Sequence, residues 1–463
     1  MMRRLMATGT SFIARRFAFA ERRTSLRTEV LGGVTTFLTM SYIVFVNPAI
    51  LSAAGLPFDA VAVVTALAAA LFTALMGLVT NLPFALASGL GLNAIVAFDL
   101  IIGRKLGIPA AMACVLIEGA IAVVLVLAGL REAIVRAVPN AIKLAIGVGI
   151  GLFIALVGLR EGGIVVNNPA TGIALGDLSS GPPLIALAGV LVSAALAAAG
   201  RTGAILGGIA TSLLLGLVFG VLDGPDGVVR MPGSDDFSVV GDAFGGIGDV
   251  LTLALIPIIF TLFMTDFFDT IGTAYAVGSA GGLVDEKGEL PQTKRVLLVD
   301  SAAAMGGGAL GVSSVTTYVE SGAGVAEGAR TGFASLVTAA LFALCVFFVP
   351  VIALVGQGVQ VAEDTFIHPA VAPALIMVGY LMLRLVRGID WDDPEAAIPA
   401  FLIIIGVPLT FSIAAGIGFG VIGYVVVMLA RGKARQIHPL MWALVPLFIA
   451  FFEAGWLEAN VFS

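Results

Sequence analysis

Apolar runs of membrane-crossing length follow one another almost without interruption, and that succession decides what this chain can become. A helix needs about 20 predominantly apolar residues to cross a bilayer's hydrocarbon layer. Such runs lie near 29–50, 61–81, 84–100, 108–130, 140–158, 184–199 and 203–222, and again near 250–277, 294–310, 313–327, 331–356, 369–386, 397–412 and 414–430. Only 12% of the 463 residues are charged. Soluble proteins carry roughly 25%, so this chain could not cover a water-facing surface of its size. Its 58 glycines suit helices that pack closely in lipid. The expected class is therefore an all-α polytopic membrane protein. Cys114 and Cys345 lie in separate apolar runs and read as small buried hydrophobes, not a disulfide.

Charge placement gives the expected orientation. The first 28 residues form a basic tail, with Arg3, Arg4, Arg15, Arg16, Arg22, Arg23 and Arg27 against Glu21. No apolar signal core follows the first arginines. An amphipathic stretch (Phe12, Ile13, Phe17, Phe19) suggests a tail lying on the anionic cytoplasmic leaflet. Arg131, Arg136, Arg201, Lys294, Arg295, Arg330, Arg384, Arg387, Arg431, Lys433 and Arg435 fall on the same side. Asp223, Asp226, Asp235, Asp236, Glu363 and Asp364 fall opposite, in accord with the positive-inside rule. Arg104 and Lys105 break the pattern, so 84–108 is not expected to be a plain helix. Residues 438–463 form an apolar segment carrying Glu453 and Glu458, expected to be interfacial or an extra span.

The halves echo each other. "VPNAIKLAIGVGIGLFIALVGLREG" resembles "IHPAVAPALIMVGYLMLRLVRGIDW", and each half has a Gly/Ser-rich third element. An odd number of spans per repeat forces the second copy to enter the membrane inverted. Glycine-interrupted segments at matching places in such halves point to a transporter's central site.

Ionisable residues inside the membrane are costly, by about 2.5–3.5 kcal/mol each on insertion scales, and each needs a reason. In "FTLFMTDFFDTIGTAYAVG", Asp266, Asp269, Thr270 and Thr273 share one helical face, with Phe263, Phe267 and Phe268 beside them. Two carboxylates, two hydroxyls and aromatics suit a flat, hydrogen-bonding ligand. In "SSVTTYVESGAG", the run from Ser313 to Thr317 reads as an extended stretch leading through Tyr318 and Val319 to Glu320 and a half-helix. Backbone amides of Thr317, Tyr318 and Val319 are then candidate donors. The counterpart in the first half is Ser88 to Asn93, with Gly91 and Leu92 as backbone candidates. Asp300 is expected to play a structural or coupling role, Glu118 that of a buried anchor, and Asp99 and Glu327 that of caps. His368 and His438 precede prolines at span starts and read as interface residues.

Several chemistries are excluded. No Walker motif is present, no Cys/His group has metal-ligand spacing, and no cofactor or nucleic-acid signature appears. The acidic cluster lacks an embedded Lys or Arg, which favours a neutral or cationic substrate. A carboxylate in a low-dielectric cavity can alternate between protonated and ionised states, as coupling to a proton gradient requires. A membrane acid hydrolase using Asp266 and Asp300 would need a GxGD motif, which neither residue has.

The segments "GLGLNA", "TDFFDTIGTA" and "SSVTTYVESGAGVAEGARTG" resemble the signatures of AzgA-like purine permeases, in the nucleobase–cation symporter superfamily. The resemblance runs from "TFLTMSYIVFVNPAIL" to "GVPLTFSIAAGIGFG". It implies a UraA-like fold of two inverted seven-span repeats, with two half-helices preceded by short extended segments. The core domain would take 29–138 and 250–356, the gate domain 139–222 and 368–430, and an extracytoplasmic acidic loop 223–249. It implies no enzyme but a proton-coupled carrier of adenine, guanine or hypoxanthine in the cytoplasmic (inner) membrane, working within the lipid bilayer, with a homodimer as candidate assembly. Carried over by motif, Asp266 and Glu320 would bond the purine, and Phe267 or Phe268 would stack on it. Asn93, Asp269 and Thr273 would shape the site, and Asp300 would serve coupling or core integrity. A uracil or xanthine symporter is the nearest alternative, although that branch commonly carries Glu where this chain has "TDFFD". An anion transporter of the same fold is the more distant one.

Overall fold

The computed structural model describes residues 12–129, 138–224, 227–250, 255–283, 290, 292–356, 358–362 and 365–461. The expectations placed on Arg3, Arg4, Arg131, Arg136, Asp226, Glu363 and Asp364 lie outside them, as do the side chains of Phe268 and Glu458.

Two helices, α1 (Leu26–Met40) and α2 (Ile43–Ser52), form the first crossing, and α3 (Phe58–Thr80) the second. The third begins as strand β1 (Leu86–Ser88), turns into α4 (Leu90–Ala94) and ends in a π-helical stretch, Ile95–Gly103. Helices α5 (Ile108–Leu127), α6 (Asn140–Glu161), α7 (Gly181–Ala198) and α8 (Ala204–Val218) complete the first half, with hairpin β2–β3 (Val165–Asn168, Gly172–Leu175) after α6. The acidic connection, expected to be a loop, carries a short amphipathic helix, α9 (Asp242–Val250). It packs on α5.

The second half repeats the order. It comprises α10 (Ile256–Ala280), α11 (Thr293–Leu310), strand β4 (Val315–Thr317) with α12 (Ser321–Ala326), then α13 (Gly332–Cys345) and α14 (Val349–Val355). Hairpin β5–β6 (Val359–Ala362, Thr365–Ile367) leads to α15 (Ala372–Leu383), α16 (Pro394–Thr410) and α17 (Ile413–Ala430). A final helix, α18 (Pro439–Val461), lies along α17, with Phe419 and Phe452 stacked at 5.1 Å. Among the described residues seven helices or helix pairs are long and apolar enough to cross a membrane, and shorter apolar stretches include Leu90–Gly103, Ala204–Val218, Ile258–Phe267, Pro394–Thr410 and Pro439–Glu453.

The inverted repeat is written in the packing. Exchanging each element of one half for its counterpart maps the contact α3–α13 onto α11–α5, α7–α8 onto α16–α17, and α6–α16 onto α15–α7. It likewise maps α1–α12 onto α10–α4, and α6–α15 onto itself. At the centre, β1 and β4 pair antiparallel, with Leu86 opposite Thr317 and Ser88 opposite Val315. Gly89 N–H to Ser314 O (2.8 Å) and Tyr318 N–H to Ala85 O (2.9 Å) extend the ladder. Two antiparallel strands each running into a helix make the two half-helices oppose one another.

Extended backbone within a membrane survives only if its polar groups are met inside the protein. Hydroxyls supply what two short strands cannot. Thr73 Oγ1 both donates to Leu86 O and accepts from Leu86 N–H, each at 2.9 Å. Ser335 Oγ reaches the carbonyls of Leu82 (3.0 Å) and Phe84 (2.8 Å), and Ser321 Oγ accepts from Ala85 N–H at 2.9 Å.

Helix α1 lies against α12 and α13. The fully buried Glu29 carboxylate accepts from the amides of Arg330 (2.9 Å) and Thr331 (3.2 Å) and from Thr331 Oγ1 (2.8 Å). Midway the backbones touch: a Cβ on Gly324 would stand 2.3 Å from Gly32 O, so only glycine fits. The tail behaves differently from expectation. Phe17 and Phe19 are buried edge-on against Phe333, at 5.6 and 5.9 Å, because the protein offers them an apolar seat at the ends of α3 and α13. Only Phe12 of that set is strongly exposed.

Replacing Glu29 by Ala takes the acceptor from four donors, Thr24 Oγ1, the Arg330 and Thr331 amides and Thr331 Oγ1, of which the two on Thr331 are fully buried and cost roughly 1–3 kcal/mol each when orphaned. The purified variant should therefore unfold at a clearly lower temperature, with Glu29→Gln intermediate because it keeps one acceptor oxygen.

Candidate functional site

The motif on α10 does not present one uniform face. Asp266 is buried, accepting from Ser314 Oγ at 3.2 Å on the chain entering β4. Thr270, one turn on, is also buried, and its hydroxyl donates to Asp300 Oδ2 at 2.5 Å and meets Thr316 Oγ1 at 2.9 Å. Asp269 lies between them in sequence but is exposed. Thr273 is nearly buried at 8%. Phe267 is 1% exposed and tilted against Phe263 at 5.4 Å, so its ring packs within the protein and offers no open face to a ligand in this conformation.

Asp300, from α11, holds β4 in place. Its Oδ1 accepts from Thr317 N–H (2.9 Å) and Thr317 Oγ1 (2.8 Å), while Oδ2 takes Thr270. The Thr317 amide is thereby committed to Asp300, and the Tyr318 amide to Ala85 O. Of the three amides proposed as donors, this leaves Val319 N–H without a partner among the described residues. Val319 is 55% exposed. The Tyr318 hydroxyl donates to Ser88 O, tying the start of one half-helix to that of the other.

Glu320 caps α12 and is half-buried. Its Oε1 accepts from the Tyr42 hydroxyl at 2.5 Å, and its backbone carbonyl lies 3.4 Å from Thr39 Oγ1. Asp269, Tyr42 and Tyr318 stand within electrostatic range of it. The carboxylates that solvent reaches, Asp269 and Glu320, thus come from facing elements. On the first half-helix, Gly91 is half-buried beside Ile150 and Leu92 is buried. Asn93 is fully buried, and neither atom of its carboxamide finds a partner among the described residues. Orphaned polar groups of this kind are rare in folded proteins.

Other charged candidates lie elsewhere. Asp99, on the π-helical stretch, accepts from Arg104 Nε (3.1 Å) and from Ser412 Oγ (2.7 Å), which joins the first half to the start of α17. His368 meets Glu161 at 2.6 Å. Both pairs line a separate cavity of about 850 Å³, remote from Asp269 and Glu320. Glu118 is fully buried on α5. Tyr42 and Glu29 escaped the sequence reading, although a tyrosine and a glutamate inside the first apolar run were available signals.

Residues 27–419 match the model of the Permease family Xan_ur_permease. The chain belongs to that permease family. It is 41% identical over 445 residues to the guanine/hypoxanthine permease PbuG of Bacillus subtilis (strain 168), covering 94% of this chain and 98% of that one. It is 38% identical to the adenine permease AdeP of Escherichia coli (strain K12), covering 96% of each. Among solved structures, the transmembrane domain of a cyanobacterium bicarbonate transporter, BicA, superposes with a TM-score of 0.58 at 16% identity, covering 84% of this chain and 97% of that domain. That likeness concerns the fold alone. The permease is a multi-pass membrane protein and a transporter, not an enzyme.

Asp300→Ala removes the acceptor of at least three buried donors. Stability should fall by about 3 kcal/mol or more, read as thermal unfolding of the detergent-purified protein. An unchanged unfolding temperature would show that β4 is held by something else.

Proposed function

We propose that this permease carries purine nucleobases (adenine, guanine or hypoxanthine) together with protons across the cytoplasmic membrane, with its N-terminus on the cytoplasmic side. The observation that carries the reading is the pair of reachable carboxylates, Asp269 and Glu320, at the meeting point of two opposed half-helices. The purine permeases PbuG and AdeP, similar over almost the whole chain, support it.

A purine is flat, close to neutral, and ringed by donors and acceptors. Glu320 and Asp269 offer carboxylate oxygens to ring N–H and amino groups, and Val319 N–H offers a donor to a ring acceptor. Thr273 and the unpartnered carboxamide of Asn93 complete the proposed site, with Asp266 behind it acting through Ser314. Proton exchange at a carboxylate accompanies loading. The core, 29–138 with 250–356, then moves against the gate, 139–222 with 368–430, and exposes the site to the other side. All of these groups belong to one chain, so a homodimer would carry two independent sites. Among the described residues the charged side chains of the proposed site are both negative, which disfavours an anion and ranks the anion-transporter reading below a uracil or xanthine symporter.

Labelled adenine, guanine, hypoxanthine, xanthine and uracil, supplied to cells lacking their own nucleobase permeases, test the reading. Purine uptake that a protonophore abolishes is the expected result, and uptake of uracil or xanthine alone would move the protein to that branch. Glu320→Gln should lose uptake while still reaching the membrane, and wild-type uptake with unchanged protonophore sensitivity would remove Glu320 from the site. Asn93→Leu forfeits no hydrogen bond, so it should leave the unfolding temperature unchanged or higher while lowering uptake at least tenfold.

A further inference from the structure

Tyr42 sits where the first crossing breaks. The helix stops at Met40 and resumes at Ile43, and the side chain lies in the core, 1% exposed. Its hydroxyl points at Glu320 Oε1, 2.5 Å away and 278 residues on in sequence. Among the described residues this phenol has no other acceptor, so its single proton goes to that oxygen.

The contact is held from both sides. Glu29 grips the backbone just beyond α12 at Arg330 and Thr331, Gly32 and Thr36 press on Gly324, and Thr39 reaches the Glu320 carbonyl. The first crossing and the second half-helix are therefore fastened to each other at several points. Where the phenol meets the carboxylate is fixed by that packing and does not depend on side-chain chance. Asp269 and Tyr318 are the other titratable groups in electrostatic range of Glu320, and neither forms a hydrogen bond with it.

The geometry points to Tyr42 as the positioning residue for Glu320: it occupies one carboxylate oxygen and leaves Oε2 as the oxygen that meets the base and exchanges the proton. With Oε1 accepting from the phenol, a proton on Glu320 resides on Oε2. Protonated, that oxygen donates to a ring nitrogen or carbonyl of the base, and ionised, it accepts from a ring N–H. The bound base and the proton then compete or cooperate at one atom, which is what coupling requires. This inference rests on the reading of Glu320 as a base-binding group.

A double-mutant cycle tests it. Equilibrium binding of labelled adenine, guanine and hypoxanthine is measured on purified wild type, Tyr42→Phe, Glu320→Gln and the double variant, with the unfolding temperature recorded for each. Tyr42→Phe keeps the ring and removes the donor, and should weaken binding about tenfold, the usual worth of a hydrogen bond to a charged group. In the Glu320→Gln background the same change should alter affinity less than about twofold, since partners acting through one another are not additive. Glu320→Asp, which withdraws the carboxylate from the phenol, serves as a second background with the same expectation. Wild-type affinity in Tyr42→Phe, or a full additive loss in both backgrounds, would overturn the positioning role. Wild type that binds none of the three purines would instead overturn the substrate reading, and this inference with it.

Discussion

The structure depends on how the backbone is satisfied where β1 and β4 cross. Six paired residues cannot meet their own polar groups as a helix would, and no water is present at membrane depth to help. Leu86 leans on Thr73, the 82–84 carbonyls on Ser335, and Thr317 on Asp300. These hydroxyls and carboxylates come from α3, α13 and α11, so the crossing can form only when those helices are in place. The half-helices that begin at the strands' ends inherit their positions from it, and so do Asn93, Val319 and Glu320.

That requirement sorts the intramembrane carboxylates into two kinds. Glu29, Asp266 and Asp300 are each enclosed and bonded to amides or hydroxyls, which offsets the cost of burying them and makes them fasteners. Asp269 and Glu320 are reachable from solvent. Glu320 keeps a tyrosine on one oxygen and presents the other. A carboxylate retained in a membrane without being fully paired is a group awaiting a ligand or a proton, and the purine–proton reading gives it both.

The fold by itself does not choose the cargo. A bicarbonate transporter domain shares this architecture at 16% identity. What differs from one carrier to another is the chemistry placed between the half-helices. The charged groups that the proposed reading puts there, Asp269 and Glu320, are acidic, whereas an anion carrier would need the opposite sign. Asp99 and Ser412 show a second consequence of the architecture, since one hydrogen bond there links the two groups of helices that the proposed mechanism moves apart.

Much of this was legible in the residues. Hydropathy with sparse charge dictated a polytopic membrane protein, because lipid rewards apolar runs whatever their tertiary neighbours. "SSVTTYV", β-branched and without a helical apolar face, marked a strand before a half-helix, and the motifs offered Asp266 and Glu320 as base-binding candidates with Asn93, Asp269 and Thr273 around them. Periodicity could not divide the α10 face, since Asp266, Asp269 and Thr270 differ only in what packs over them. Nor could it show that the Thr317 and Tyr318 amides are spent within the protein, or that Phe17 and Phe19 seat on Phe333 instead of lipid. The sequence alone determined that the chain is a succession of apolar runs and that two of them, at 84–100 and 313–327, are interrupted, but not that the first crossing breaks at Tyr42. Only the tertiary structure decided which of the buried acids is fastened and which is free to act, because that depends on contacts such as Tyr42 to Glu320 between residues hundreds of positions apart.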